Sequence, residues 1–476
     1  MIKSLLTAIL ILGAMVFISI FFAACGNNNN NSTTGDDDTG NSADDDTTTD
    51  DDSGDDDTAS KEFRAGFAKI DITPTVPVKM AGFGMAFFSV DNCRWSTGVH
   101  DPLYARAAAF DDPNGVAPIV IIVLDDVGTI TNDIVRIQAG VAAVTGIPEK
   151  SVIVASTHTH HGPDTIGLWG VIVPPITGRD EDVINKMVDG SIQAGINAWK
   201  ARVPATLKFA VGKEARYHHN KIWLDPNRTI DDTLTVLAAY DHEDNLLGSI
   251  INWSCHPTVM GQQNTLISAD YPGALCRIME EDMGGTHVYI NGAIGASIQP
   301  INPDHPIAHW IVGYGTWDDV DRFGRHLAED TESLLEQATI VDDPNIWLLE
   351  LRDLSVKVEN LLFVLAARVK LMPREVPGLG EYATTYLATF AMGPVTFATV
   401  PGEYVPNYAY DLRQLMGGDA QFIIGLGLDW IGYAITPQQH ENLAYIYEEL
   451  LCPSKYAGEE LMTVYHGVWD PINAGQ

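Results

Sequence analysis

Three histidines fall within four residues in the segment Thr157-His158-Thr159-His160-His161-Gly162-Pro163-Asp164. The apolar, β-branched run Ser151 to Thr157 precedes them, so the segment leaves the C-terminal end of a buried strand. If the extended conformation continues, residues 158 and 160 face the same way. An H-x-H pair there offers two imidazoles to one metal, or one to a metal and one to a substrate, and a strand end holds them rigidly. A second histidine, His256, follows the apolar stretch Gly248 to Ile251 and stands just before Pro257. Its neighbour Cys255 would face the other way in a strand and is not counted as a ligand. Glu403 follows the strand-like Val395 to Thr399 in Val400-Pro401-Gly402-Glu403, where it is expected to begin a helix whose dipole also favours a carboxylate. Asp429-Trp430-Ile431-Gly432-Tyr433 precedes the turn Ala434-Ile435-Thr436-Pro437, and Tyr445 and Tyr447 follow in a helix-like stretch. Imidazole and carboxylate together suit zinc, which keeps an open water position when catalytic. Zinc lowers the pKa of that water to about 7, giving a nucleophile at neutral pH.

The elements that must position these groups alternate between strand and helix. Residues 118–125 and 151–157 read as buried strands, and the helical spacing of Ile134, Ile137, Val141 and Val144 lies between them. A strand, helix and strand in that order predict a parallel crossover. Residues 183–201 and 319–338 predict two further helices. Further strands are expected at 205–211, 234–240, 247–254, 286–292, 345–358, 383–391, 394–400 and 420–426. The fold class read from this pattern is α/β: mixed β-sheets flanked by helices in a single large domain spanning 61–476.

The chain has 476 residues and a formal net charge of −35, which argues against nucleic acid because phosphate recognition needs a basic face. Five cysteines are too few for a disulfide scaffold. Twelve Asp sit in four triplets between residues 26 and 60, among Asn, Thr, Ser and Gly. This segment cannot bury a core and is expected to be a disordered, charge-extended linker. Before it, Lys3 leads an apolar run that ends Phe22-Ala23-Ala24-Cys25-Gly26. Residues 1–25 resemble a bacterial lipoprotein signal in which Cys25 is lipidated, although Phe22 departs from the usual aliphatic residue. The run is also long enough to span a bilayer uncleaved. Either reading predicts an exported protein anchored to a membrane, with its body in the periplasm or on the cell surface.

The motifs of the body resemble the neutral/alkaline non-lysosomal ceramidase family, in its N-terminal catalytic domain. The similarity begins with Ala65 to Pro74 and Met80-Ala81-Gly82-Phe83-Gly84, then Val99 to Ala107. It continues in the same order through Thr157 to Pro163, Cys255 to Thr258, Ser268 to Gly273, Asn291-Gly292-Ala293 and Pro401-Gly402-Glu403. The resemblance implies a zinc ion held by His158, His256, Glu403 and Tyr433, with His160 beside it as acid and base. It implies a further tyrosine at the scissile amide; counting from Tyr433 points to Tyr445, and the local Tyr-Glu pattern points to Tyr447. The implied reaction is hydrolysis of ceramide or a related N-acyl lipid by a zinc-activated water, with no obligate protein partner. Alternatives are hydrolysis of another amide or ester, or a catalytically silent surface-binding lipoprotein of the same fold. Three departures stand out. The loop Gly295-Ala296-Ser297-Ile298-Gln299-Pro300 lacks an Asp that longer relatives carry, which leaves Ser297 without a clear place. Asn220-Lys221 stands where many relatives have Asn-Arg, and Lys cannot reproduce a bidentate Arg contact. The C-terminal immunoglobulin-like domain of well-known ceramidases is not expected here.

Overall fold

The computed structural model describes residues 62–84, 86, 88–296, 298–301 and 315–475. The expected signal, the lipidated Cys25, the acidic linker and Ser297 lie outside the described residues. Residues 61–476 form one compact unit. No described helix is long and apolar enough to cross a membrane.

Three mixed sheets make up the framework. The first uses β1 (Arg64–Asp71), β2 (Tyr104–Asp111), β3 (Ile119–Leu124) and β4 (Val152–Ser156), in the order β4-β3-β2-β1. Its first three strands pair antiparallel, whereas β3 and β4 run parallel, joined by helix α1 (Thr131–Thr145). The expected crossover is therefore present. It stops where expected, at Gly146 in the left-handed conformation. Helix α2 (Glu181–Lys200) opens with the Asp180 carboxylate accepting from the backbone of Asp182 and Val183.

The second sheet contains β5 (Thr206–Lys213), β6 (Thr233–Tyr240), β7 (Leu246–Trp253) and β8 (Thr286–Asn291), in the order β8-β7-β6-β5. Helix α3 (Asp270–Met283) crosses from β7 to its parallel neighbour β8, and α4 (Trp317–Leu335) begins two residues ahead of its expected start. The third sheet is β9 (Ile346–Lys357), β10 (Tyr382–Met392), β11 (Val395–Val400) and β13 (Ala420–Gly425), in that order. The two-residue strand β12 (Glu403–Tyr404) and helix α5 (Pro406–Met416) lie between the last two. A last short strand, β14 (Tyr433–Ala434), pairs with β12. One apolar core runs through all three sheets, from Ile121 and Val154 through Ile250 and Ile290 to Phe397 and Phe422.

In each sheet one pair is parallel, and the chemistry leaves from its C-terminal end. His158 follows β4, His256 follows β7, Glu403 follows β11, and Tyr433 follows β13. A parallel pair joined by a crossover helix points both of its C-terminal ends to one side, and open α/β sheets gather ligands there. Three such ends meeting around a common core place four distant segments at one point.

Candidate metal centre

The strand that delivers the first histidines stops sooner than the sequence reading assumed. Strand β4 ends at Ser156, and His158 adopts φ 69°, in the left-handed region. A side chain other than glycine there costs on the order of 1–3 kcal/mol, so the surroundings must hold it. Asn291, at the end of β8, does much of this. Its Nδ2 donates to the carbonyls of Thr157 (3.0 Å) and Cys255 (2.9 Å), tying the His158 loop to the His256 loop. The two residues of the H-x-H pair thus converge through a turn, and extended alternation does not bring them together.

Each of the two ligand candidates is pinned from behind. His158 Nδ1 donates to the Val127 carbonyl at 2.5 Å, and His256 Nδ1 donates to the Ile298 carbonyl at 2.7 Å. Those bonds put the ring proton on Nδ1 and leave both Nε2 atoms as bare acceptors. The Nε2 atoms face the same oxygen, Glu403 Oε2, at 3.5 Å and 3.2 Å. Burial opposes ionisation of Glu403, but positive charge at the His158 and His256 positions outweighs it and holds the carboxyl well below the usual carboxylate range. Two imidazole lone pairs and a carboxylate, all buried and all accepting, repel one another unless a cation sits among them. The donor set therefore fits zinc, which takes such N and O ligands.

Glu403 reaches this point from a strand, and the helix expected to begin at Glu403 starts at Pro406 instead. Glu403 and Tyr433 are register partners in the parallel pair β12–β14, so their side chains leave the same face. The close approach depends on the glycine that precedes Glu403: a Cβ on Gly402 would lie 2.3 Å from the Gly432 carbonyl oxygen. The Tyr433 hydroxyl is pushed well above its ordinary pKa, first by burial and then by the Glu403 charge. The other carboxylate oxygen, Oε1, accepts from the Trp430 indole at 3.3 Å.

His160 belongs to the same cluster but is held differently. Its Nε2 lies 3.2 Å from His158 Nε2, and the reactive nitrogens of His158, His160 and His256 lie within 4.8 Å of one another. Unlike the other two rings, its Nδ1 is buried and makes no hydrogen bond. Burial first, and then His158 and His256, keep its pKa well below the ordinary value. The ring rests edge-on against Phe83, and Arg94 donates to the His160 carbonyl. Gly82 lies directly under the imidazole, at φ 94°, with an added Cβ only 2.2 Å from His160 Cγ. Gly82→Ala should therefore push the ring aside. We expect turnover to fall about 10²-fold, the usual cost of a displacement near 1 Å, with unchanged metal content. Plasma emission analysis beside a kinetic assay checks both.

The remaining candidates separate. His161, the third histidine of the segment, turns away into a satisfied core position. It contacts the Met260 carbonyl at 3.1 Å and Asn264 at 3.1 Å, and burial, then Arg94, lower its pKa to about 3. Tyr445 is fully buried, donating to Asp225 at 2.8 Å and accepting from Gln439 at 3.1 Å. Tyr447 instead is 54% exposed and sets its ring edge-on against Tyr433 at 6.0 Å. Its pKa is raised by burial of its hydroxyl end and by the Glu403 charge. Lys221 is exposed, beside an Asn220 whose side chain is bound to its own loop. Asn291, Gly82 and Trp430 are the site residues whose roles the sequence reading did not assign. A buried Asn at a strand end was the one signal that pointed to such a role, because a buried amide must find partners.

Residues 63–302, half of the chain, match the family described as neutral/alkaline non-lysosomal ceramidase, N-terminal. The chain belongs to this family. The match takes in His158, His160 and His256; Glu403 and Tyr433 lie beyond it. The neutral ceramidase of Pseudomonas aeruginosa is 27% identical over 235 residues, which cover 46% of this chain and 34% of that protein. The neutral ceramidase of Mycobacterium tuberculosis is 26% identical over 270 residues, covering 51% and 42%. The chain thus spans about a third of the length of the curated relatives it matches. The crystal structure of the Pseudomonas aeruginosa neutral ceramidase superposes with a TM-score of 0.68. The overlap covers 85% of this chain and 73% of that one, at 17% identity. A structure titled as ceramidase complexed with C2 gives the same TM-score at 16% identity, covering 85% and 74%. At such identities the likeness is one of fold.

Proposed function

We propose that this protein is a zinc-dependent hydrolase that cleaves the amide bond of ceramide or a related N-acyl lipid. The observation that carries the reading is the convergence of two Nδ1-anchored imidazoles and an ionised, buried carboxylate on one point. Membership of the ceramidase family directs the substrate class. His158, His256, Glu403 and Tyr433 would hold the metal. When bound, zinc supplies Lewis acidity and lowers the pKa of water at the site.

The chain's own residues do the rest. His160, whose ring no carbonyl anchors, takes a proton from the attacking water as the water oxygen bonds to the amide carbon. The hydroxyl of Tyr447, whose ring packs edge-on against Tyr433, donates to the oxyanion that develops on the carbonyl oxygen. The C–N bond then breaks, and His160 returns its proton to the leaving nitrogen. The products are a carboxylic acid and a free amine. Asn291 keeps the two histidine loops in register throughout.

Two measurements test this reading. Exhaustively dialysed protein should retain near-stoichiometric zinc, and a panel of N-acyl lipids followed by mass spectrometry should show a fatty acid and an amine released from at least one member. Protein that holds zinc but leaves every N-acyl lipid intact would point to another amide or ester. Protein without zinc and without turnover would point to a silent binding protein.

We further propose that Cys25 carries a lipid anchor, on the small residues and apolar run before it. Cys25→Ser should accumulate as unprocessed precursor; unchanged processing would favour an uncleaved helix.

A further inference from the structure

Behind the cluster lies a buried ion pair that the chemistry above does not use. Asp429 is completely buried and Arg374 nearly so. The guanidinium grips the carboxylate with both ends, Nη1 to Oδ1 at 3.1 Å and Nη2 to Oδ2 at 2.9 Å. The bidentate form fixes orientation as well as distance. Three more donors complete the carboxylate: the backbone N–H groups of Thr131 (3.1 Å) and Trp430 (2.9 Å) and the Thr385 hydroxyl (2.7 Å). Removing one partner of such a pair leaves an uncompensated buried charge, so its geometry is stiff.

What it holds are the two backbone segments from which the metal-facing groups are aimed. Trp430 follows Asp429 directly, and its indole N–H is the donor to Glu403 Oε1. Arg374 Nη1 also grips the Trp430 carbonyl at 3.2 Å, and the indole stacks on Phe363. Thr131 opens helix α1, whose N-terminus has no side-chain cap of its own. Four residues earlier stands Val127, whose carbonyl pins His158 Nδ1. Between them Thr129 N–H donates to Ser156 at 3.0 Å, so the short segment is bound at both ends and in the middle.

We propose that Asp429, clamped by Arg374, is a positioning residue that aims two metal-facing side chains at once: Glu403 through Trp430, and His158 through the Val127–Thr131 segment. The proposal rests on the zinc reading given above. Outer partners of this kind change metal affinity by about 10–100-fold when removed, because they set the direction and basicity of the ligand. They leave the fold intact where packing is preserved.

The test uses purified full-length protein, zinc affinity by chelator competition, and the visible absorption of the cobalt-substituted form. Trp430→Phe keeps an aromatic ring towards Phe363 and removes the indole N–H together with the five-membered ring, so a folded variant with a modestly lower melting temperature is expected. It should weaken zinc by about 10–100-fold and alter the cobalt spectrum. Asp429→Asn should weaken zinc further, since it loosens both arms. In the double variant the two effects should be less than additive, because one acts partly through the other. Should Asp429→Asn not fold, Thr385→Val removes one bond to the same carboxylate and should weaken zinc by about 3–10-fold. Zinc affinity of Trp430→Phe within threefold of wild type, with the same cobalt spectrum, would overturn the Glu403 arm. Strict additivity would overturn the linkage. Wild-type protein that binds no zinc at all would instead overturn the metal reading, and the positioning role with it.

Discussion

Glu403→Ala should strip the metal from a folded protein and take turnover to background. The carboxylate faces both His158 and His256, and it follows a strand of the third sheet while the imidazoles follow strands of the first two. Zinc sites in small folded peptides are worth about 10–16 kcal/mol, so one of four donors carries roughly 3 kcal/mol, or about 10² in affinity. The loss of activity should exceed that, because on the proposed reading the metal would also supply the Lewis acidity that the reaction needs. His256→Ala should behave alike, and Tyr433→Phe should fall short of both, since a neutral phenol is the weakest donor of the four. Zinc content and melting temperature of each variant, measured beside turnover on one N-acyl substrate, check this. Fully loaded, folded Glu403→Ala protein would place the metal elsewhere.

His160→Ala should do the opposite: keep zinc near stoichiometric while slowing turnover by about 10²–10⁴-fold, the usual range for a lost general acid and base. The expectation comes from how the three rings are held. His158 and His256 each donate Nδ1–H to a carbonyl and so present a fixed lone pair, whereas His160 Nδ1 makes no hydrogen bond and its ring is located by packing on Phe83, Gly82 and the neighbouring imidazoles. A ligand needs a fixed lone pair; a proton carrier needs a nitrogen that can change state. Tyr447→Phe should also slow turnover with zinc retained, and Tyr445→Phe should act mainly on stability through its lost bond to Asp225. If His160→Ala loses zinc while His158→Ala keeps it, the two histidines have exchanged roles.

The amino-acid order by itself determined the strands that end at the site. Runs such as Pro118–Asp125 and Val395–Thr399 are apolar, β-branched and bounded by turn residues, so local preference and burial agree on them. The crossover through α1 followed from helical spacing closed by Gly146, and the position of each candidate just past a strand followed from the same patterns. The order of motifs carried the family. Some elements were not legible. Strand β2 is an alanine-rich run whose strand character comes from pairing on both sides, and α3 opens on Asp270-Tyr271-Pro272-Gly273, a sequence with turn-like residues. Glu403 was placed in a helix because a carboxylate suits a helix start. Only its pairing with Tyr433, thirty residues later, makes it a strand. The same holds for the site's fine geometry. Which of three clustered histidines turns into the core, which tyrosine of Tyr445 and Tyr447 meets Tyr433, and which nitrogen of each ring is bare all depend on distant carbonyls and side chains. Val127, Ile298, Asn291 and Trp430 make those choices. Sequence patterns report local conformation and burial, which act over a few residues. The aim of a side chain is set by hydrogen bonds across the chain, and the tertiary structure alone decides which groups are near enough to make them.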